Sequence, residues 1–466
     1  MKVEQIYTGC LAEAAYYIES RGEAAIIDPL RETAPYIKRA EKDKAKIKYI
    51  FETHFHADFV SGHVELAHKT GATIVYGPQA DCGFDCYSAK DGEEFKVGGL
   101  TIRVLHTPGH TAESSTYLLL DEDGKEYCIF SGDTLFIGDV GRPDLAIQSD
   151  LTIHDLAGML YDSLRSKIIP LPDHVIVYPA HGAGSACGKN LSKETFDTLG
   201  HQKEVNYALQ AQTRDAFIKA VTDGLAPPPQ YFPLNAMMNK QGAKGLDEIN
   251  AQAMRGLDPQ EFEDAALVAE ALILDTRAPQ VFAAGFIPGA VNIGIDGQFA
   301  PWVGALITDI DQPILLVCDA GREEENIMRL ARVGYDHTLG YLDGGIEAWV
   351  AAGKPLDRIQ SLSATDFEQE HYGDSINIID IRRVGEYETA HIAGVPNKPL
   401  DYINDWIGAL NHEDTYYIHC AGGYRSMIAA SILKSRGYDH VIDIAGGYGA
   451  IAKTNLPKES GVGATV

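Results

Sequence analysis

Short apolar runs recur along the first 185 residues, separated by polar and glycine-containing stretches. They read A-A-I-I-D (24–28), K-Y-I-F (48–51), A-T-I-V-Y (72–76), T-I-R-V-L (101–105), Y-C-I-F (127–130) and V-I-V-Y (175–178). Runs of this length, rich in β-branched and aromatic residues, predict buried strands. Between them lie segments with apolar residues at helical spacing, clearest in 151–166, L-T-I-H-D-L-A-G-M-L-Y-D-S-L-R-S. Strands interleaved with helices predict a sheet-on-sheet α/β sandwich with outer helices. Residues 190–220 predict one or two polar helices, in S-K-E-T-F-D-T-L and E-V-N-Y-A-L-Q. The A-P-P-P-Q-Y-F-P stretch that follows predicts an extended segment, because consecutive prolines disfavour helix.

The last 200 residues repeat the same pattern twice. The first copy reads L-I-L-D-T-R (272–277), G-F-I-P-G-A-V-N-I (285–293), I-L-L-V-C (314–318) and Y-L-D-G-G-I-E-A-W (341–349). The second reads I-I-D-I-R (378–382), A-H-I-A-G-V-P-N (390–397), Y-Y-I-H-C (416–420) and I-D-I-A-G-G-Y (442–448). Alternating strand and helix in each copy implies a parallel sheet with helices on its faces. The expected domains are 1–255, 256–358 and 359–466.

The chemistry concentrates where strands give way to loops. The strand I-K-Y-I-F (47–51) leads into T-H-F-H-A-D-F-V-S-G-H (53–63), with His54, His56 and Asp58 at alternate positions. Alternate side chains of an extended segment share a face, so these three can converge. Imidazole and carboxylate together suit a transition metal. Downstream, His110 sits in T-P-G-H-T, Asp133 in S-G-D-T and His181 in Y-P-A-H-G, each just past an apolar run. A rigid scaffold commonly carries its binding groups at such points.

This spacing resembles the metallo-β-lactamase superfamily, whose motif is H-x-H-x-D-H with a distant His, Asp and His. The sixth motif position, usually His, is Phe59 here, and a phenyl ring cannot ligate metal. One metal is therefore expected rather than two. The words T-H-F-H-A-D, S-G-D-T-L-F-I-G and G-R-P-D (Gly141–Asp144) are similar to those of persulfide dioxygenases. That resemblance implies one Fe(II) per chain, held by His54, His110 and Asp133, with open positions for oxygenase chemistry. His56, Asp58 and His181 would then orient ligands and hold water, though the sequence leaves His56 open as a ligand. Cys187, in H-G-A-G-S-A-C-G-K, lies near His181 in a small-residue loop read as open. Its thiol is a candidate to carry sulfane sulfur, with Lys189 lowering its pKa if close.

Both repeat copies resemble the rhodanese family. In the second, Cys420 ends a strand and is followed by A-G-G-Y-R-S and a helix, matching the pattern C-x-x-G-x-R. A thiol meeting several backbone N–H groups and a helix N-terminus becomes a better nucleophile. Arg425 closes the loop and can anchor an anionic substrate or the loop itself. In the first copy Cys318 is followed by D-A-G-R-E-E-E, with Arg322 one place early and Glu323 in the closing position. Asp319, Glu323, Glu324 and Glu325 then oppose a thiolate, so this copy is expected to be inactive, a spacer or docking domain.

Together these imply a metallo-β-lactamase αββα sandwich followed by two rhodanese-like α/β domains with parallel sheets. The resemblance implies oxidation of a low-molecular-weight thiol persulfide by O2 to sulfite and thiol. Transfer of sulfane sulfur through Cys420 to sulfite would then give thiosulfate, a route of sulfide detoxification. Glutathione, coenzyme A and bacillithiol all remain open as the thiol. Two other readings stand beside it. One is a zinc thioester hydrolase of the glyoxalase II type, which two zincs and thioester turnover would support. The other is a sulfur carrier or sensor with a structural metal, which retained carrier function without O2 consumption would support.

Composition adjusts the picture. A net charge of −27 over 466 residues argues against nucleic acid and anionic membranes, and demands that a site for sulfur anions be locally basic or lined with backbone N–H groups. Hydrophobic content of 45% is ordinary for a globular chain, without an 18-residue apolar run. The start M-K-V-E-Q-I-Y has no signal-peptide core, so a cytoplasmic location is expected. A homo-oligomer is compatible with the chain. Seven cysteines suit free thiols in a reducing compartment. Cys82 and Cys86 are accordingly expected to be loop or core thiols, and Cys10 and Cys128 core.

Overall fold

The structure, a computed structural model, describes residues 1–145, 151–370 and 376–461. Two compact units emerge: Met1–Glu248 with Ala331–Gly334, and Ile249–Leu330 with Tyr335–Val466.

In the first unit two six-stranded sheets pack face to face. One runs Lys2–Thr8, Glu13–Ser20, Glu23–Ile27, Lys46–Phe51, Thr73–Tyr76, Tyr87–Ser88. Its first three strands are antiparallel and the rest join in parallel. The other runs Asp197–Thr198, Ile176–Pro179, Glu126–Gly132, Ser115–Leu120, Leu100–His106, Glu94–Val97. Tyr16, Ile27 and Phe51 of one sheet meet Ile102, Tyr117 and Phe130 of the other in the central core. The Phe51 and Tyr117 ring centroids lie 4.8 Å apart. Helices cover the outer faces: Tyr36, Ala40 and Leu66 pack on Ile26 and Ile50, while Ala157, Leu160 and Phe217 pack on Leu118, Leu120 and Val177. Strands covered on both faces are buried at every position, as in Ser115–Leu120, which is why their apolar residues read as runs and not as alternation.

The helix Ile153–Ser163 starts where Thr152 and Asp155 satisfy each other's backbone N–H groups, a capping box contributing about 1 kcal/mol. It continues through Leu164–Ile168 as a wider turn. The polar stretch S-K-E-T-F-D-T-L is not a helix. Ser192 N–H donates to the Ile137 carbonyl, and Asp197–Thr198 pairs with Ile176–Val177 as an edge strand. Thr198 then caps the helix Leu199–Val205, and Asn206 caps Tyr207–Gln210. The triple proline lies outside any helix or strand, but Pro233 sits in the first turn of a helix, Phe232–Gln241, where a missing N–H costs nothing.

The second unit holds two parallel sheets. The first runs Gly256–Leu257, Thr338–Leu342, Ile314–Val317, Leu272–Asp275, Val291–Asn292, and the second Gln360–Ser363, Val441–Ala445, Tyr416–His419, Asn377–Asp380. The repeat extends to its polar network. Arg277 clamps Asp275 and the Gly285 carbonyl, and Arg382 clamps Asp380 and the Ala390 carbonyl. Asn292 and Asn397 each donate to two carbonyls of the same turn.

The helix Tyr424–Ser435 is buried continuously from Ser426 to Leu433. It packs on its own sheet at Tyr416–His419 and Val441–Ala445, and on Val291–Asn292 of the first copy, whose Asn292 N–H donates to Ser431 Oγ at 2.9 Å. A helix covered on all sides needs no polar stripe, and M-I-A-A-S-I-L has none. No helix among the described residues is long and apolar enough to cross a membrane.

Candidate functional site

The strand Lys46–Phe51 ends beneath the loop that carries His54, His56 and Asp58. His54 and His110 meet edge to face, their centroids 4.9 Å apart. Their Nε2 atoms lie 3.9 and 3.4 Å from Asp133 Oδ2. One ligand atom from each of the three falls within 4.8 Å of the others. Both rings are held from behind. The His54 Nδ1–H faces Thr53 Oγ1 at 3.0 Å, and that hydroxyl donates onward to Asp28 at 2.9 Å. The His110 Nδ1–H faces the Arg142 carbonyl at 2.8 Å. Each Nε2 lone pair is thereby left for the pocket.

Asp133 is buried, and among the described residues neither of its carboxylate oxygens has a hydrogen-bond partner. An unsatisfied buried carboxylate costs several kcal/mol, on the order expected only where a cation is meant to sit. Burial, together with His56, His110 and His181, holds the His54 imidazole far below its usual range, so it stays neutral, the form that ligates metal. Donor set, protonation and unsatisfied oxygens all fit a metal ion.

A second group, His56, Asp58 and His181, borders the first. His181 Nε2 is 3.4 Å from Asp58 Oδ2 and 3.5 Å from Asp133 Oδ1. His56 turns its Nε2 toward Asp28 (3.1 Å) and Glu52 (3.6 Å). Burial alone would depress its pKa, yet Asp28, Glu52 and Asp58 raise it to about 9. Phe59, fully buried, lies 4.4 Å from the His56 ring. Burial and the charge of Asp28 push Glu52 well up, as burial and several neighbouring carboxylates push Glu13.

Three supports escaped the sequence reading. Asp28 ends the A-A-I-I-D strand in a left-handed conformation, φ 48°, and binds both Thr53 N–H and Thr53 Oγ1. Asn239, from the helix hidden in the proline-rich stretch, donates to the His56 and Phe59 carbonyls and accepts from Ser61 N–H, pinning the histidine loop. Arg142 of G-R-P-D binds Asp144 through two nitrogens, at 2.6 and 2.7 Å, while its N–H reaches the Cys187 carbonyl. A polar residue at a strand end marked Asp28; nothing local marked Asn239.

Gly109 has φ +146°, and a Cβ there would lie 2.4 Å from the Leu160 backbone. Gly109→Ala must therefore push the His110 turn off its helix. We expect metal retention after dialysis to fall by about tenfold or more, read by metal analysis of purified protein.

Cys187 joins Asp133 and His181 in a further group of possible ligand atoms. The loop is not open there, since the residue is 1% exposed. Lys189 does not assist it, because its Nζ binds the carbonyls of Ala220 and Asp223. Burial, Asp58 and Asp133 drive this thiol's pKa well up. Cys82 and Cys86 are not free thiols but a disulfide, Cα atoms 6.4 Å apart, within bridging range. Cys128 is core, whereas Cys10 is half-exposed.

In the second unit Cys420 lies just past Tyr416–His419, buried, and lines a cavity of about 380 Å³. Of the loop N–H groups, Gly423 is the one that donates to Sγ, at 3.1 Å. Arg425 makes a bidentate pair with Glu386, at 2.6 and 2.7 Å, so it anchors the loop. Glu386, six positions after Asp380, was missed because only folding brings it to the cysteine loop.

Cys318 occupies the matching place in the first copy, but its glycine points elsewhere. Gly321 N–H donates to Glu323 Oε1 at 3.0 Å, so a carboxylate takes the bond that Cys420 receives. Arg322 is spent on Asp296 and Glu325. Burial, with Glu323, Asp275 and Asp319, pushes the Cys318 thiol up to about 12. The thiolate fraction then grows about tenfold per pH unit throughout the accessible range. Iodoacetamide labelling of Cys318, followed by peptide mapping, should climb from pH 7 to 10 without levelling; a plateau near pH 9 would contradict this.

Residues 8–84 match the metallo-beta-lactamase superfamily, and 258–352 and 363–454 each match the rhodanese-like domain. A hydroxyacylglutathione hydrolase of Tolumonas auensis is 35% identical over 206 residues, 43% of this chain and 67% of that one. Cytoplasmic hydroxyacylglutathione hydrolase of Arabidopsis thaliana is 32% identical over 37% of this chain and 65% of its own, so the chain spans about two thirds of these hydrolases. Mitochondrial persulfide dioxygenase ETHE1 of Homo sapiens is 29% identical over 46% of this chain and 76% of that one. A metallo-beta-lactamase structure from Staphylococcus aureus aligns with TM-score 0.65 and 31% identity, over 73% of this chain and 98% of that one. The chain belongs to the metallo-beta-lactamase superfamily, with two rhodanese-like domains following its metallo-beta-lactamase domain.

Proposed function

We propose that the protein is a persulfide dioxygenase joined to a sulfurtransferase, acting in the cytosol on a low-molecular-weight thiol persulfide. The domains are taken as 1–255 for oxidation, 256–358 inactive in transfer, and 359–466 for transfer. His54, His110 and Asp133 would hold one Fe(II). The observation that carries this reading is the pairing of a two-histidine, one-carboxylate group with Phe59 at the place of a second-metal ligand. The similarity to persulfide dioxygenase and the two rhodanese-like domains support it.

Iron, when bound, supplies redox chemistry toward O2 that no side chain offers. The chain's own part is to hold both histidines neutral and aimed, through Thr53 and the Arg142 carbonyl. Protonated His56 offsets the charge of the buried carboxylates around it. Overall, persulfide, O2 and water give thiol, sulfite and two protons. At Cys420 the thiolate attacks the outer sulfur of a second persulfide, and the donor thiolate leaves with the bonding electrons. Sulfite then attacks the new Cys420 persulfide, releasing thiosulfate and regenerating the thiolate. Cys187 is taken as a sulfur-handling thiol beside the metal, which its place near Asp133 and His181 supports.

The test is oxygen-electrode assay of iron-loaded protein with glutathione, coenzyme A and bacillithiol persulfides, alongside metal analysis. One iron per chain and persulfide-dependent oxygen uptake are expected. Two zincs with thioester hydrolysis, or sulfur transfer with no oxygen uptake, would overturn the reading.

A further inference from the structure

The Cys420 cavity has a wall that the second copy supplies only in part. Gln298 and Trp302, from the helix Phe299–Leu306 and its preceding residue in the first copy, line it together with Arg383. The Arg383 guanidinium lies over the Trp302 ring, 5.9 Å from the centroid. Tyr424, in the cysteine loop, donates to the Gly294 carbonyl at 2.7 Å. A Cβ on Gly297 would fall 2.3 Å from the Tyr424 ring, so the two copies meet there without slack. The wall is therefore fixed relative to the thiol.

Its chemistry is specific. Arg425 is committed to Glu386 and Arg382 to Asp380. Arg383 is 62% exposed, and among the described residues its ion pair is the 3.3 Å contact to Asp401, which leaves most of its donors to a ligand. Among the described residues Trp302 Nε1–H meets no acceptor, although the other two tryptophans donate to carbonyls. A volume of about 380 Å³ is far more than an inorganic sulfur anion needs, and falls in the range of small organic ligands.

We propose that Trp302, Gln298 and Arg383 form a recognition wall for the organic body of the sulfur donor, a thiol persulfide bearing a carboxylate. The copy whose own cysteine is disabled thus contributes, through Trp302 and Gln298, to the donor specificity of the other. Arg383 pairs with the carboxylate, and the indole, 3% exposed and covered on its face by Arg383, offers its unpaired N–H to the donor's amide. In the step so favoured, a Cys420–sulfur bond forms as the donor's S–S bond breaks. The departing thiolate takes the proton lost by Cys420, with no net oxidation.

This rests on the reading of Cys420 as a sulfur acceptor, and the test separates the two. Under anaerobic conditions, Cys420 persulfidation in the full-length protein is followed by mass spectrometry with glutathione persulfide and, separately, with thiosulfate. Trp302→Ala is expected to lower the ratio of kcat/KM for glutathione persulfide over thiosulfate by about tenfold, through KM. Trp302→Phe should restore part of it, and near-normal oxygen uptake shows that both variants fold. An unchanged ratio, or equal loss with both donors, overturns the wall. Failure of the unaltered protein to accept sulfur from either donor overturns instead the role of Cys420.

Discussion

His110→Ala is expected to abolish persulfide-dependent oxygen uptake, by more than about 100-fold, with loss of bound iron. The imidazole places Nε2 3.4 Å from Asp133 Oδ2, and Nδ1–H against the Arg142 carbonyl. Truncation removes one of three candidate ligands and leaves that carbonyl without its partner. It also widens a pocket whose walls are fully buried, so water replaces the ring without replacing its directed lone pair. His56 is poorly placed to substitute, since Asp28 and Glu52 hold its Nε2 and keep it charged to about pH 9. Sulfur transfer at Cys420, assayed with thiosulfate, should persist and serve as the control for folding. Substantial oxygen uptake by this variant would remove His110 from the centre and with it the proposed ligand set.

Cys420→Ser should have the complementary effect: oxygen uptake retained, and the product shifted from thiosulfate to sulfite. A hydroxyl does not ionise in this range and cannot hold sulfane sulfur, so the two-step displacement has no carrier. The first copy offers no rescue. Its glycine N–H is given to Glu323, its arginine to Asp296 and Glu325, and burial with nearby carboxylates pushes its thiol up to about 12. Ion chromatography of the products distinguishes the outcomes. Unchanged thiosulfate yield would deny Cys420 its role, and sulfur found on Cys318 would reverse the assignment of the two copies.

Parts of this architecture are local and were legible in the chain. Each candidate ligand follows a strand with an apolar run, and a strand's end is a property of a few consecutive residues. The repeat was visible because L-I-L-D-T-R and I-I-D-I-R carry the same clamp, Asp275 to Arg277 and Asp380 to Arg382, two residues apart. The acidic loop after Cys318 also spoke for itself, though the structure adds that Glu323 acts by capturing a specific N–H. The polar segment before Thr198 misled because an edge strand borrows its stability from a partner, here Ile176–Val177. The cysteines of C-x3-C misled because seven thiols and a short start say nothing about which two Cβ atoms face each other.

What the sequence by itself determined is the set of chemical groups and the order in which strands deliver them to loops, since hydrophobic period and turn residues act over a handful of positions. Tertiary structure alone decided which groups meet. Asn239 reaches back to Phe59, Asp28 orients His54 through Thr53, and Trp302 closes a cavity around a cysteine from another repeat. Such contacts depend on how sheets stack and helices bury all their faces, a many-body packing result that no stretch of neighbouring residues encodes.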